Sequence, residues 1–373
     1  MERAGGWWLA GVVACLLACA PAGGSGPAGG GAASAPAAAA SGGAAAAGAG
    51  TGAGGSAAAS SAPAAAPTAP ADVRAFDVAV SALSASATPL WVADEQGIFS
   101  RYGLAPEFNT MSPAATSQAI EAGSVPVAIS GGSSVTAWLS GASDRVFIAG
   151  VNDKPLMKIL SATPGIERME DLRGRSVAST SPGSGGTMAV FAALRHFNVE
   201  PERDAEVTYL RDQPTVLASV LAGNVAAGGL PSPFSEQARA SGARLLVDVD
   251  ELGIRVALNH VTSTRGMLER ERDFLRRFVM AYVEGLQYAR DNPEAGIQAI
   301  MHGTRQDSHA DAEQAYQLYR DAWSPWIAEE GIQTVLDNTD LPAARTARPA
   351  DIVDLSLVRE LEASGWLAAH YRP

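Results

Sequence analysis

Beyond residue 19 this 373-residue chain has no cysteine, its two being Cys15 and Cys19. The body therefore carries no disulfide, no thiolate nucleophile and no cysteine metal site. Histidine is scarce as well: His196, His260, His302, His309 and His370 stand in no paired-ligand spacing, so no metal site is expected. Basic charge is outnumbered, 27 Lys+Arg standing against 39 Asp+Glu for a net charge of −12, and such a surface repels phosphate backbones. That argues against nucleic-acid binding. The chain has no G-x-S-x-G elbow, no Walker motif and no strand-anchored dinucleotide fingerprint. The glycine-rich run 181–186 lacks the Lys of a phosphate loop, and no cofactor is expected. What is present is apolar mass, 47% of residues against 18% charged, enough for one sizeable core and room for two.

The composition is uneven along the chain. Trp7 to Leu17 form a short apolar run behind Arg3, long enough for a signal-peptide core and too short for a permanent span. Leu16-Leu17-Ala18-Cys19 resembles a bacterial lipobox, which would make 1–19 a lipoprotein signal and Cys19 the lipid-bearing residue. An ordinary cleaved signal with incidental cysteines is the alternative. From Ala20 to Pro70 every residue is Ala, Gly, Ser, Thr or Pro, so nothing offsets the chain entropy of ordering. Residues 20–72 read as a disordered tether, with a mean span on the order of 40 Å.

From Val73 onward short β-like runs alternate with helical patterns, which predicts an α/β fold. A first series runs from Phe76–Val80, through a helix over Leu90–Phe99, to strands at Val125–Ile129, Val146–Ala149 and Met157–Leu160. A second runs from Arg175–Ala178 to Leu245–Val247. After Leu258 the pattern turns helical, with Phe274, Leu275, Phe278, Val279, Tyr282 and Leu286 at helical spacing.

Candidate binding residues are small and polar, placed where strands end and helices begin, the usual ligand crevice of open α/β sheets. Ser130-Gly131-Gly132-Ser133 follows one strand, and Thr180-Ser181 with Ser184-Gly185-Gly186-Thr187 follows the first strand of the second series. Glycine permits the close backbone approach that bares amide N–H groups at a helix start. Ordinary helix capping is the competing explanation for either loop alone. Ser81, Ser84 and Thr88 open from the first strand ahead of Trp91, a core anchor or a stacking wall. Pro231 and Ser232 end a strand of the second series, as Arg211-Asp212-Gln213 does another. No catalytic residue is assigned.

Several segments in order carry a family resemblance. Pro89-Leu90-Trp91-Val92-Ala93 with Gly97-Ile98-Phe99 and Gly103-Leu104 resembles the first helix and second strand of bacterial solute-binding proteins of the sulfonate, taurine and nitrate group. That group also includes binders of thiamine pyrimidine precursors. Pro164-Gly165-Ile166, Met169 to Ala178 and Leu221-Ala222-Gly223-Asn224-Val225-Ala226-Ala227 continue the match, with Ala226 where the group has an Asp. The resemblance implies a two-lobe type II periplasmic-binding-protein fold. Lobe one would be 73–160 plus 256–373 and lobe two 161–255, with crossings near Leu160–Pro164 and Glu251–Leu258. The group's binding loops fall on Ser81–Thr88, Ser130–Ser133, Thr180–Thr187 and Leu230–Pro233.

The expected function is an extracytoplasmic, lipid-anchored and monomeric solute-binding protein of the cell envelope. It would serve an ATP-binding-cassette (ABC) permease with its ATPase and deliver a sulfonate-like anion or a pyrimidine-type heterocycle. Neutral Ser-rich loops together with Trp91 lean that choice slightly toward the heterocycle. No enzymatic activity is expected. The rivals are an enzyme of pyrimidine-precursor synthesis, whose cysteine-rich motif has no counterpart after Cys19, and a ligand-sensing subunit of a membrane receptor.

Overall fold

The computed structural model describes residues 73–81 and 84–373. The expected signal peptide, the lipid site at Cys19 and the expected tether lie outside the described residues. So do Ala82 and Leu83 in the first candidate loop.

The first lobe is built from β1 (Arg74–Val80), α1 (Thr88–Glu95), α2 (Ile98–Arg101), β2 (Leu104–Thr110), α3 (Pro113–Glu121), β3 (Val127–Ser130), α4 (Gly132–Leu139) and β4 (Arg145–Asn152). The helix expected over Leu90–Phe99 is broken in two because Gly97 takes a left-handed φ of +63°. The chain then crosses to β5 (Met157–Ser161), β6 (Ser176–Ser179), α5 (Gly185–His196), β7 (Glu206–Tyr209), α6 (Gln213–Leu221), β8 (Ala227–Pro231), α7 (Phe234–Ala240) and β9 (Arg244–Asp248). It returns to β10 (Asn259–Thr264) and finishes in helices. These are α8 (Arg265–Arg270), α9 (Arg272–Asp291), α10 (Pro293–Thr304), α11 (His309–Tyr319), α12 (Glu329–Asp337), α13 (Ser356–Ala363) and α14 (Trp366–His370).

The two sheets share one design. Their strand orders are β2-β1-β3-β10-β4 and β7-β6-β8-β5-β9. In each, three strands run parallel, and the fourth place is filled by an antiparallel strand that has arrived from the other lobe. This moves one boundary. Met157–Leu160 is a strand, but it pairs with β8 and β9, so it belongs to lobe two and the first crossing is Asp153–Leu156 instead of Leu160–Pro164. A short buried run shows only that a strand is covered on both faces, and pairing is set by non-local contacts. The return crossing lies between Val249 and Leu258. The crossings run side by side, with Val256 N donating to Asp153 O at 3.0 Å. Beside them the buried His260 places Nε2 3.2 Å from Asp153 Oδ1.

In lobe one, α9 lays Phe274, Leu275, Phe278, Val279, Tyr282 and Leu286 into the core, on the helical spacing that its sequence shows. Gly285 lets α9 approach α1, since a Cβ there would lie 2.3 Å from Pro89 O. The helical tail returns to both lobes. Ile332 and Val335 of α12 join one apolar cluster with Val135 and Leu139 of α4 and with Met188 and Val190 of α5. No helix among the described residues is long and apolar enough to cross a membrane.

Candidate binding cleft

The lobes meet at the starts of α4 and α5. A Cβ on Gly132 would stand 2.7 Å from Gly185 N and 2.9 Å from Gly183 O, so backbone touches backbone across the cleft. Only a residue without a side chain allows that approach. Behind this contact lies a chamber of about 60 Å³, lined from both lobes and from both crossings.

Of the residues singled out from sequence, Ser81, Ser84, Gly131, Ser133, Thr180, Ser184, Gly185, Gly186 and Pro231 line the chamber. The others do not. Thr88 donates to Ala85 O at 2.7 Å, and Ser130 Oγ bonds Ser134 Oγ at 2.7 Å and Thr262 Oγ1 at 2.8 Å, tying β3 to α4 and β10. Thr187 Oγ1 donates to Ser181 O at 2.7 Å and lies 2.8 Å from Ser179 Oγ, which fixes the loop that bears Ser181 and Ser184. Ser232 is fully buried beside a cis Ser232–Pro233 bond, and Gly132 is spent on the contact between lobes. Trp91 is a packing residue: its ring covers Gly303, where a Cβ would lie 2.2 Å from it, outside the chamber. Of its two possible roles Trp91 therefore fills that of core anchor, and it does not wall the chamber.

Gln213, from the Arg211-Asp212-Gln213 loop, and seven residues not singled out complete the lining, these being Pro113, Asn152, Leu156, Met157, Leu258, Asn259 and Tyr319. Asn152, Leu156, Met157, Leu258 and Asn259 belong to the crossings or their flanking strands, whose proximity no local pattern announces. Gln213 had a signal, because Asp212 and Pro214 mark a helix start after β7. Asp212 Oδ1 accepts from Thr215 N at 2.9 Å and Thr215 Oγ1 at 2.6 Å, and the bond from the Thr215 hydroxyl holds the carboxyl below its usual range. Tyr319 had none, since it comes from the helical tail.

No ionised side chain lines the chamber. Burial, followed by the charge of Glu236, pushes the Tyr319 phenol well above its ordinary value, with Ser84 as a hydrogen-bond partner pulling the other way. It stays a neutral donor. The backbone N–H groups of Ser133 and Gly186, in the first turns of α4 and α5, find no partner among the described residues. First-turn amides are left over by helix geometry and lie at the positive end of the helix dipole. Two such ends, one from each lobe, give a neutral chamber an attraction for a small anionic or strongly polar group. No His, Cys, Asp and Glu group able to hold a metal ion occurs among the described residues.

Comparison with known proteins agrees with this architecture. The sequence model of the family described as NMT1/THI5 like matches residues 84–296. No curated protein matches the chain. The alkanesulfonate-binding protein SsuA from Xanthomonas axonopodis pv. citri, solved with MOPS, is similar at 18% identity and a TM-score of 0.65, over 76% of this chain and 99% of that one. The nitrate-binding protein NrtA from Synechocystis PCC 6803 is similar at 13% identity and a TM-score of 0.65, over 80% and 91%. A Candida albicans protein described as having the generic periplasmic binding protein fold gives 16% identity and a TM-score of 0.58, over 78% and 95%. These likenesses establish the two-lobe periplasmic-binding fold. With its family model spanning more than half of the residues and two such lobes closing on one chamber, the protein belongs to the NMT1/THI5-like family.

Proposed function

We propose that this protein is an extracytoplasmic solute-binding component of an ABC importer, carried at the cell envelope by a lipid on Cys19. It captures a small organic anion of the sulfonate kind and presents the closed form to the permease. The observation that carries this reading is the pair of first-turn amides without a partner among the described residues, Ser133 N on one lobe and Gly186 N on the other, both on residues that line one small neutral chamber. Closure brings the two together, so a solute that bridges them binds the shut form better and shifts the population toward it. The chamber holds no nucleophile–base pair, which favours binding over turnover. A pyrimidine-type solute is the weaker candidate, because Trp91 lies outside the chamber and Tyr319 is the one aromatic residue that lines it.

The test is a thermal-shift screen of alkanesulfonates, nitrate and pyrimidines against the full-length protein. A sulfonate at a hundred times its dissociation constant is expected to add about 2.7 kcal/mol of stability. A pyrimidine binding tightly while every anion leaves the melting temperature unchanged would reverse the assignment. Turnover of any bound compound would overturn the importer reading.

A further inference from the structure

Beside the small chamber lies a larger vestibule of about 290 Å³, and Ser81, Pro113, Thr180 and Gln213 line both. The vestibule differs from the chamber in being charged. Arg211, between β7 and α6 of lobe two, and Arg305, at the C-terminus of α10 in lobe one, both line it. Neither guanidinium makes an ion pair or hydrogen bond among the described residues, although acidic groups outnumber basic ones across the chain. Asp212 is the acidic residue in the lining, and its carboxylate is held by Thr215 at the start of α6. Gln213 lines both spaces, and although the residue is 8% exposed its Oε1 is buried without a partner. A buried acceptor left unpaired is costly, and a donor on a bound molecule would satisfy it.

Resting on the solute-binding reading above, we infer that the solute is an elongated organic dianion. One acidic group occupies the inner chamber against the first-turn amides. A hydroxyl or amino group at mid-chain donates to Gln213. A second acidic group, carboxylate or sulfonate, lies in the vestibule between Arg211 and Arg305. Guanidinium is the cation best matched to such oxyanions, and supplying one arginine from each lobe makes the second charge a further reason to close.

The inference is tested by calorimetric titration of the full-length protein with ω-sulfocarboxylates of two to six carbons, each compared with the alkanesulfonate of equal length. At low ionic strength the best dianion is expected to bind about five- to tenfold more tightly than its monoanionic partner, and added salt should erode the difference because both arginines are exposed. Arg211→Ala with Arg305→Ala should bring that dianion down to the monoanion's affinity. Arg359→Ala, which removes the same charge from α13, should leave the preference intact. Gln213→Ala should weaken a hydroxylated dianion more than its unsubstituted parent. Monoanions binding as well as dianions at every length would overturn this inference and leave the solute-binding reading standing. The double variant Arg211→Ala with Arg305→Ala keeping the preference would do the same. Binding of neither series would overturn both.

Discussion

Gly132 sits where backbone from the two lobes comes within contact distance, and the atoms a methyl group would meet are Gly185 N and Gly183 O, which cannot swing aside as a side chain could. Overpacking of that kind costs about 1–3 kcal/mol. Only the shut form bears it, so Gly132→Ala is expected to weaken solute affinity roughly five- to hundredfold, at 1.4 kcal/mol per decade. Unliganded stability should change little, and calorimetric titration beside thermal melting separates the two effects. Asp212 gives a residue-scale expectation of another kind. Its folded carboxyl is held below the usual range by Thr215, so its stabilisation is complete above the unfolded value near ~3.9 and is lost as pH falls through the lower folded value. Asp212→Ala should cost about 1 kcal/mol at neutral pH, read from urea midpoints. The gap between the two proteins should narrow below about pH 4. At this scale the sequence was readable wherever a small polar residue served the loop itself. Ser133, Ser184 and Gly186 stand out as strand-to-helix residues, whereas nothing in the surroundings of Tyr319 marks it as part of a cleft whose other lining residues end at Asn259, 60 residues earlier in the chain.

Packing between elements depends on how closely helices can approach. The α1–α9 contact is set by Gly285, with Pro89 O and Ala93 Cβ at 2.3 and 2.6 Å from a would-be Cβ. Gly285→Ala is therefore expected to destabilise lobe one by about 1–3 kcal/mol in urea denaturation, despite alanine's better helix propensity, which would return at most about 1 kcal/mol. A stabilised variant would show that α9 can slide outward at no cost. The same helix was legible from its sequence, because burial on one face imprints a 3.6-residue period. β5 was legible as a strand and not as a member of its sheet. Its three apolar residues, Met157, Ile159 and Leu160, fit either sheet equally, and only the pairing with β8 and β9 decides between them. The break between α1 and α2 was carried by Gly97, whose left-handed φ is available to glycine at no steric cost.

For the molecule as a whole, the matched strand orders of the two sheets place equivalent loops opposite one another. That opposition, more than any one residue, makes the cleft. The residue runs suggested two similar halves before their pairing was known, because the same alternation occurs twice with a helical tail to follow. Tail placement was not suggested, since α12 meets α4 and α5 through Ile332 and Val335 over long sequence distances. If the shut form is the one that holds solute, small-angle scattering should report a smaller radius of gyration with a bound dianion than without it, and a longer apparent closed lifetime should follow from slow release. An identical scattering curve in both conditions would mean that the jaws do not move.

Nesting of one lobe inside the other also dictates an order of assembly. Every strand of the second sheet, β5 to β9, is contained in one uninterrupted stretch, Met157–Asp248. The first sheet stays incomplete until β10 inserts between β3 and β4. As the polypeptide emerges N-terminus first, the interior domain can reach its native pairing while the outer one waits with a vacant slot between two buried strands. The later-made half of the sequence thus seals a body that its earliest strands began.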